Sequence, residues 1–184
     1  KSVIDWLDQK RDNTSIYLEK ELASRNLLSY ETAFNKLDDK NSSIASVSAS
    51  VILDSQYPDH INKAIGVVEK LLQSGGNEDI IEALYILSNS KHERYAFFAA
   101  EFLNRFNHTI TICALETIYD LCNRNSSKLV KPILDIFNDG SKIERKLSLD
   151  ILSKIEDTQS ILPLFKDMNI LTAYEKRQVV SLIE

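Results

Sequence analysis

The residues Ala49, Leu84, Leu115, Leu149 and Val180 follow one another at intervals of 35, 31, 34 and 31. Two places beyond each stands an apolar or threonine side chain, and three places beyond an aliphatic one. The pairs are Val51/Ile52, Ile86/Leu87, Thr117/Ile118, Ile151/Leu152 and Leu182/Ile183. A unit of about 33 residues with helical spacing inside it cannot bury its apolar face alone, so it must stack on the next unit. The chain is therefore expected to form an array of helical hairpins rather than a globule with one shared centre.

A second set of positions tests this independently. Stepping back 16 residues from each anchor reaches Ala33, Val68, Ala99, Ile133 and Leu164, and four places further on stand Leu37, Leu72, Leu103, Phe137 and Met168. All ten are apolar in a chain that is 43% hydrophobic, and chance would produce this on the order of once in several thousand trials. These positions mark the first helix of each pair. The residue before the second-helix anchor is small in four units (Ser48, Ala83, Ala114, Ser148), which lets neighbouring helices approach closely, whereas Val179 breaks that pattern. Pro132 and Pro163 stand at equivalent places, expected in a first helical turn where a missing N–H costs little.

Turn-forming clusters punctuate the chain, from Asp38-Asp39-Lys40-Asn41-Ser42 through Ser74-Gly75-Gly76-Asn77 to Asn138-Asp139-Gly140-Ser141. The stretches between them have apolar spacings of three and four, and none alternates long enough to make a sheet. Only 4 Gly and 3 Pro among 184 residues accord with a helix-rich folded chain.

The segment Ser141-Lys-Ile-Glu-Arg145-Lys-Leu-Ser-Leu-Asp-Ile-Leu152-Ser-Lys-Ile-Glu-Asp157, followed by Ser160-Ile-Leu-Pro163-Leu-Phe165, resembles HEAT repeats, in particular the short form first noted in phycobilisome lyases. The match is best over Ser127 to Asp167 and extends more loosely back to Leu27. Arg145 stands where the family has an arginine, while Ala45, Ile80 and Thr111 replace it in earlier units. The resemblance implies an all-α fold, a right-handed α-α superhelix or HEAT-like solenoid, with second helices lining the concave face. About five helix pairs are expected, over 27–57, 58–90, 91–125, 126–156 and 157–184, preceded by N-terminal capping helices over 1–26. Most proteins of this kind bind other proteins; bilin lyases and a related group of DNA glycosylases are the enzymatic exceptions.

Catalytic and metal chemistry find no motif. His60, His92 and His108 stand in separate helix-start or loop contexts, read as helix-terminal surface histidines rather than metal ligands. Cys113 and Cys122 lie on one expected helix, about 13 Å apart along it, too far for a disulfide; buried free thiols suit a reducing, cytoplasmic setting. Ser74-Gly75-Gly76-Asn77 lacks the lysine of a phosphate loop, and no carboxylate stands in an apolar surround that would tune an acid/base pair. No enzyme activity and no cofactor are expected. The net charge of −5 disfavours nucleic acid as partner, and no apolar run reaches 18 residues, so no membrane span is expected. Asn13, Asn41, Asn107 and Asn125 begin glycosylation sequons, read as a by-product of an Asn/Ser-rich composition. The chain opens on Lys1 rather than Met, which suggests a piece of a longer or processed protein.

Two surface features point to binding. One and five places beyond the anchors stand Ser50/Asp54, Tyr85/Asn89, Glu116/Asp120 and Asp150/Lys154. Stacking would align them into a partly acidic ladder able to receive a basic protein or peptide segment; plain solvation of an exposed face is the alternative. The second is Tyr95-Ala-Phe97-Phe98-Ala-Ala-Glu-Phe102-Leu-Asn-Arg-Phe106, apolar almost all round, as expected for a helix held between two neighbours, with an aromatic patch for a partner as the alternative. The function expected is a protein-interaction scaffold. The alternatives are an enzyme-associated HEAT domain, such as a lyase-type or regulatory subunit, and a glycosylase-like DNA binder.

Overall fold

A computed structural model describes residues 29–40, 42–103, 107–155 and 172–181. The expected N-terminal capping helices, and Leu164, Met168, Pro163, Phe106, Leu182 and Ile183, lie outside the described residues. Every regular element among those described is helical. The chain divides into two units, Lys1–Ser90 and Lys91–Glu184.

In the first unit, α1 (Tyr30–Lys36), α2 (Ser42–Leu53), α3 (Pro58–Ser74) and α4 (Asn77–Ser88) follow in order. Each packs on its successor, and α2 also packs on α4. That last contact is the stacking of second helices demanded by the repeat. Ser29 starts α1 by accepting the Thr32 N–H on its hydroxyl at 3.3 Å. Pro58 occupies the first turn of α3, and Gly75 ends that helix at a φ of 70°, the left-handed conformation that glycine adopts without a Cβ penalty. Between these signals Ile61, Ala64, Val67, Val68 and Leu71 form one buried stripe.

In the second unit, α5 (Arg94–Ala99) runs into a 3₁₀ turn at Ala100–Phe102, followed by α6 (His108–Leu121), a second 3₁₀ turn (Ser127–Leu129), α7 (Val130–Asp139), α8 (Lys142–Ile155) and α9 (Ala173–Ser181). α5 packs on α6, α6 and α7 pack on α8, and α9 touches α8. Asn107 caps α6 by accepting the Thr109 and Ile110 N–H groups on its side-chain oxygen. Pro132 is the third residue of α7, within its first turn as expected.

Four of the five anchors are core. Ala49, Leu84, Leu115 and Leu149 are buried together with Ile52, Leu87, Ile118 and Leu152 three places on, and so are the small Ser48, Ala83, Ala114 and Ser148 before them. Of the first-helix positions, Ala33, Val68, Ala99, Ile133, Leu37, Leu103 and Phe137 are buried, and Leu72 is half-buried. The fifth anchor is different: Val180 is 43% exposed. Its helix, α9, packs on α8 among the described residues.

The apolar segment after Arg94 is mostly interior, with Tyr95, Ala96, Ala99, Phe102 and Leu103 buried and Phe97 and Phe98 half-buried. Its α-helix is shorter than the pattern suggests. The chain tightens at Ala100, and the Leu103 carbonyl accepts the Thr111 hydroxyl at 3.4 Å. Thr111 is one of the residues in the family-arginine position, and it spends its hydroxyl on backbone carbonyls. Arg145, the residue that does match, lays its guanidinium over the Phe137 ring, 5.1 Å from the centroid.

Candidate functional site

The starts of α6 and α8 carry a group of polar side chains that motif reading passed over. Ser141 and Glu144 form a reciprocal cap. The Ser141 N–H donates to Glu144 Oε2 at 2.6 Å, and the Glu144 N–H points to Ser141 Oγ at 3.5 Å. Gly140 leaves room for this, since a Cβ there would lie 2.5 Å from the Ile136 carbonyl oxygen and 3.0 Å from Glu144 Cβ. Glu144 is 3% exposed, but its enclosure is polar rather than apolar. His108 Nδ1 lies 3.1 Å from its other oxygen, Oε1. Burial works against the charge of Glu144, but the Ser141 hydroxyl and N–H and His108 outweigh it, holding the carboxyl below its ordinary range. Its hydrogen bonds to Ser141 and His108 both serve helix starts, so this is a structural carboxylate. Glu93 is held similarly low by hydrogen bonds from Ser126 and Asn123, with Ser126 Oγ at 2.7 Å.

Two of the three histidines are more engaged than surface residues would be. His108 is largely exposed at the first position of α6, whereas His60 is half-buried against Phe34, with ring centroids 4.0 Å apart, and shares a hydrogen bond with the Tyr30 hydroxyl. His92 is half-buried beside Tyr95. Among the described residues, no three His, Cys, Asp or Glu side chains converge to hold a metal ion. Cys122 lies just past the end of α6 rather than within it, and both cysteines are free. Burial pushes both thiols up, aided at Cys113 by the charge of Glu116 and opposed at Cys122 by Lys154.

The ladder residues lie on or just past the second helices of each unit, exposed or half-buried. In the first, Asp54 follows α2 directly, and Tyr85 and Asn89 lie on and just after α4; all three are exposed, Tyr85 to 58%. The Asn89 amide donates to the Tyr85 carbonyl at 2.9 Å. In the second unit, α6 and α8 pack side by side because Ala114 and Ser148, both buried, keep their backbones close. Glu116 and Asp120 are exposed on α6, four residues apart on one face, and Asp150 and Lys154 are half-buried with the same spacing on α8. Lys154 leans across to α6. Its ammonium sits 4.3 Å from the centroid of the Tyr119 ring and donates to the Tyr119 carbonyl. Tyr119, 40% exposed, belongs to this face and was missed in the sequence. It lies three residues after Glu116, and that spacing was the available signal.

The first unit also holds a cleft of about 340 Å³, floored by Leu37, Ala45, Val67 and Leu71 and rimmed by both acidic and basic side chains. Lys63 pairs with Asp38 at 2.7 Å, and this hydrogen bond lowers the Asp38 carboxyl.

No protein-family profile and no curated protein matches this chain. Solved structures do. A designed armadillo repeat protein aligns over 99% of this chain and 98% of its own, with a TM-score of 0.63 and 13% identity. A second designed armadillo repeat protein, solved in complex with the peptide (KR)4, aligns over 96% and 95% with a TM-score of 0.61 and 14% identity. An engineered protein aligns over 92% and 87%, again with a TM-score of 0.61 and 14% identity. The fold is an armadillo/HEAT-like helical repeat. In a helical repeat, equivalent faces recur from one repeat to the next. Among its described residues no helix is long and apolar enough to cross a membrane.

Proposed function

We propose that the chain is a protein-interaction scaffold that takes an extended basic peptide segment along its second-helix face. In this reading, which the helical-repeat resemblance supports, that face is the concave one. One observation carries the reading: Glu116, Asp120 and Asp150 share the neighbouring faces of α6 and α8 with Tyr119, presenting three carboxylates and an exposed aromatic ring to solvent. Carboxylates arranged this way attract Lys- and Arg-rich segments, steer their approach and repel phosphates. Asp54, Tyr85 and Asn89 extend the same proposal to the first unit. A designed armadillo repeat protein of similar fold, solved in complex with the peptide (KR)4, supports it. The free thiols accord with a cytoplasmic site of action, and the Ser127–Asp167 stretch favours the short HEAT form within the repeat class.

The test is fluorescence anisotropy with labelled (KR)4 at low salt. Glu116→Lys combined with Asp150→Lys should weaken binding at least about tenfold, with steep salt dependence in the parent. Far-UV circular dichroism should stay unchanged, since Glu116 is exposed and Asp150 only half-buried. A parent that does not bind the peptide, or a charge-reversed variant that binds equally well, overturns the proposal.

A further inference from the structure

The face just described already holds a cation. Lys154 reaches from α8 to α6, where its ammonium lies against the Tyr119 ring at 4.3 Å and hydrogen-bonds the Tyr119 carbonyl. Tyr119 is in the last turn of α6, which ends at Leu121. Carbonyls in a final turn lack helical partners and carry the negative end of the helix dipole, so they favour a cation. The N–H four residues beyond Tyr119, that of Asn123, is taken by Ser126 Oγ at 3.1 Å, so besides Lys154 the carbonyl has, among the described residues, the weak thiol donor of Cys122 at 3.7 Å. Ring face and carbonyl together make a cradle for an ammonium or guanidinium, and Glu116 and Asp120 on the same helix add negative charge around it.

We infer that Lys154 is a built-in competitor for this cradle, and that a basic side chain of a docking peptide, arginine above all, displaces it from Tyr119. The inference rests on the docking proposal above and names the position where selectivity is set. A guanidinium is planar and weakly hydrated; it stacks on an aromatic ring and donates to a carbonyl in one pose, which gives it the advantage over the ammonium it replaces. Lys154 is half-buried on a helix surface and can swing into solvent when displaced. It then stands beside the peptide, so the face rejects cationic segments that lack a side chain able to win the ring.

The experiment is a double-mutant cycle on Tyr119→Leu and Lys154→Met, with labelled (KR)4 and an all-lysine peptide of equal length as probes. Lys154→Met should tighten (KR)4 binding about three- to fivefold, and the gain should be lost in the Tyr119→Leu background. Lys154→Arg, which keeps a competitor, should bind no better than the parent. The parent should favour (KR)4 over the all-lysine peptide, and Tyr119→Leu should erase that preference. A gain from Lys154→Met that is the same in both backgrounds would mean that Lys154 acts only as a distant positive charge, and the competitor role falls while docking stands. No gain at all also overturns the competitor. If neither the parent nor Lys154→Met binds either peptide, the docking proposal itself falls.

Discussion

Leu115 and Val180 occupy the same column of the repeat, yet truncating them should have very different consequences. Leu115 is fully buried, and so are Ala114, Ile118, Leu149 and Leu152 around the α6–α8 contact. Leu115→Ala removes three heavy atoms from a site that has little freedom to collapse, because Ala114 and Ser148 already keep the two helices close. Core Leu→Ala substitutions cost about 2–5 kcal/mol, more where relaxation is poor, so a loss of about 3–4 kcal/mol is expected here. With a urea m-value of roughly 2 kcal/mol/M for a chain of this size, the midpoint should fall by about 1.5–2 M. Val180 is 43% exposed; Val180→Ala removes two methyl groups already half in water and should cost below about 1 kcal/mol. Urea melts followed by far-UV circular dichroism measure both. A Leu115→Ala midpoint indistinguishable from the parent, or a Val180→Ala loss as large as that of Leu115→Ala, would refute the assignment of core and edge.

The acid sensitivity of the second unit should run through Glu144. Its carboxyl is held low in the fold, so the folded chain binds fewer protons than the unfolded chain as pH drops into the carboxylate range. The stabilisation is full above the ordinary carboxylate value and is lost as pH falls through Glu144's own lowered one. Glu144→Gln should therefore flatten the acid limb of a Tm-against-pH profile, and a variant with the parent's limb would assign that limb elsewhere. At the end of α3, Gly75→Ala forces a non-glycine residue into φ of 70° although open space surrounds the site. It should cost about 1 kcal/mol, read by urea melts, while Gly75→Asn should cost less.

Much of this was legible in the residues themselves. Helix spacing, the Pro58 and Gly75 boundaries and the small residues before the anchors are local signals, and local geometry carries them directly into helices. The Ser141–Glu144 cap was equally readable, since a serine followed three places later by glutamate is a helix-start pattern. Its contact with His108, 36 residues away, was not, because only the packing of α6 against α8 brings the two together. The aromatic segment after Arg94 also behaved by context, its α-helix closing early into a 3₁₀ turn at Ala100.

On its own, the order of residues determined that this chain forms packed helices, with Leu84, Leu115 and Leu149 inside them and carboxylates such as Glu116 outside. Periodicity along one helix settles which side chains share a face, and apolar faces must leave water. Only the tertiary structure decided what each face meets. It left Val180 partly in solvent, and it carried Lys154 across 35 residues of sequence onto Tyr119. Such pairings depend on which helix lies alongside which, and a repeat written along one chain cannot specify the neighbour at every position.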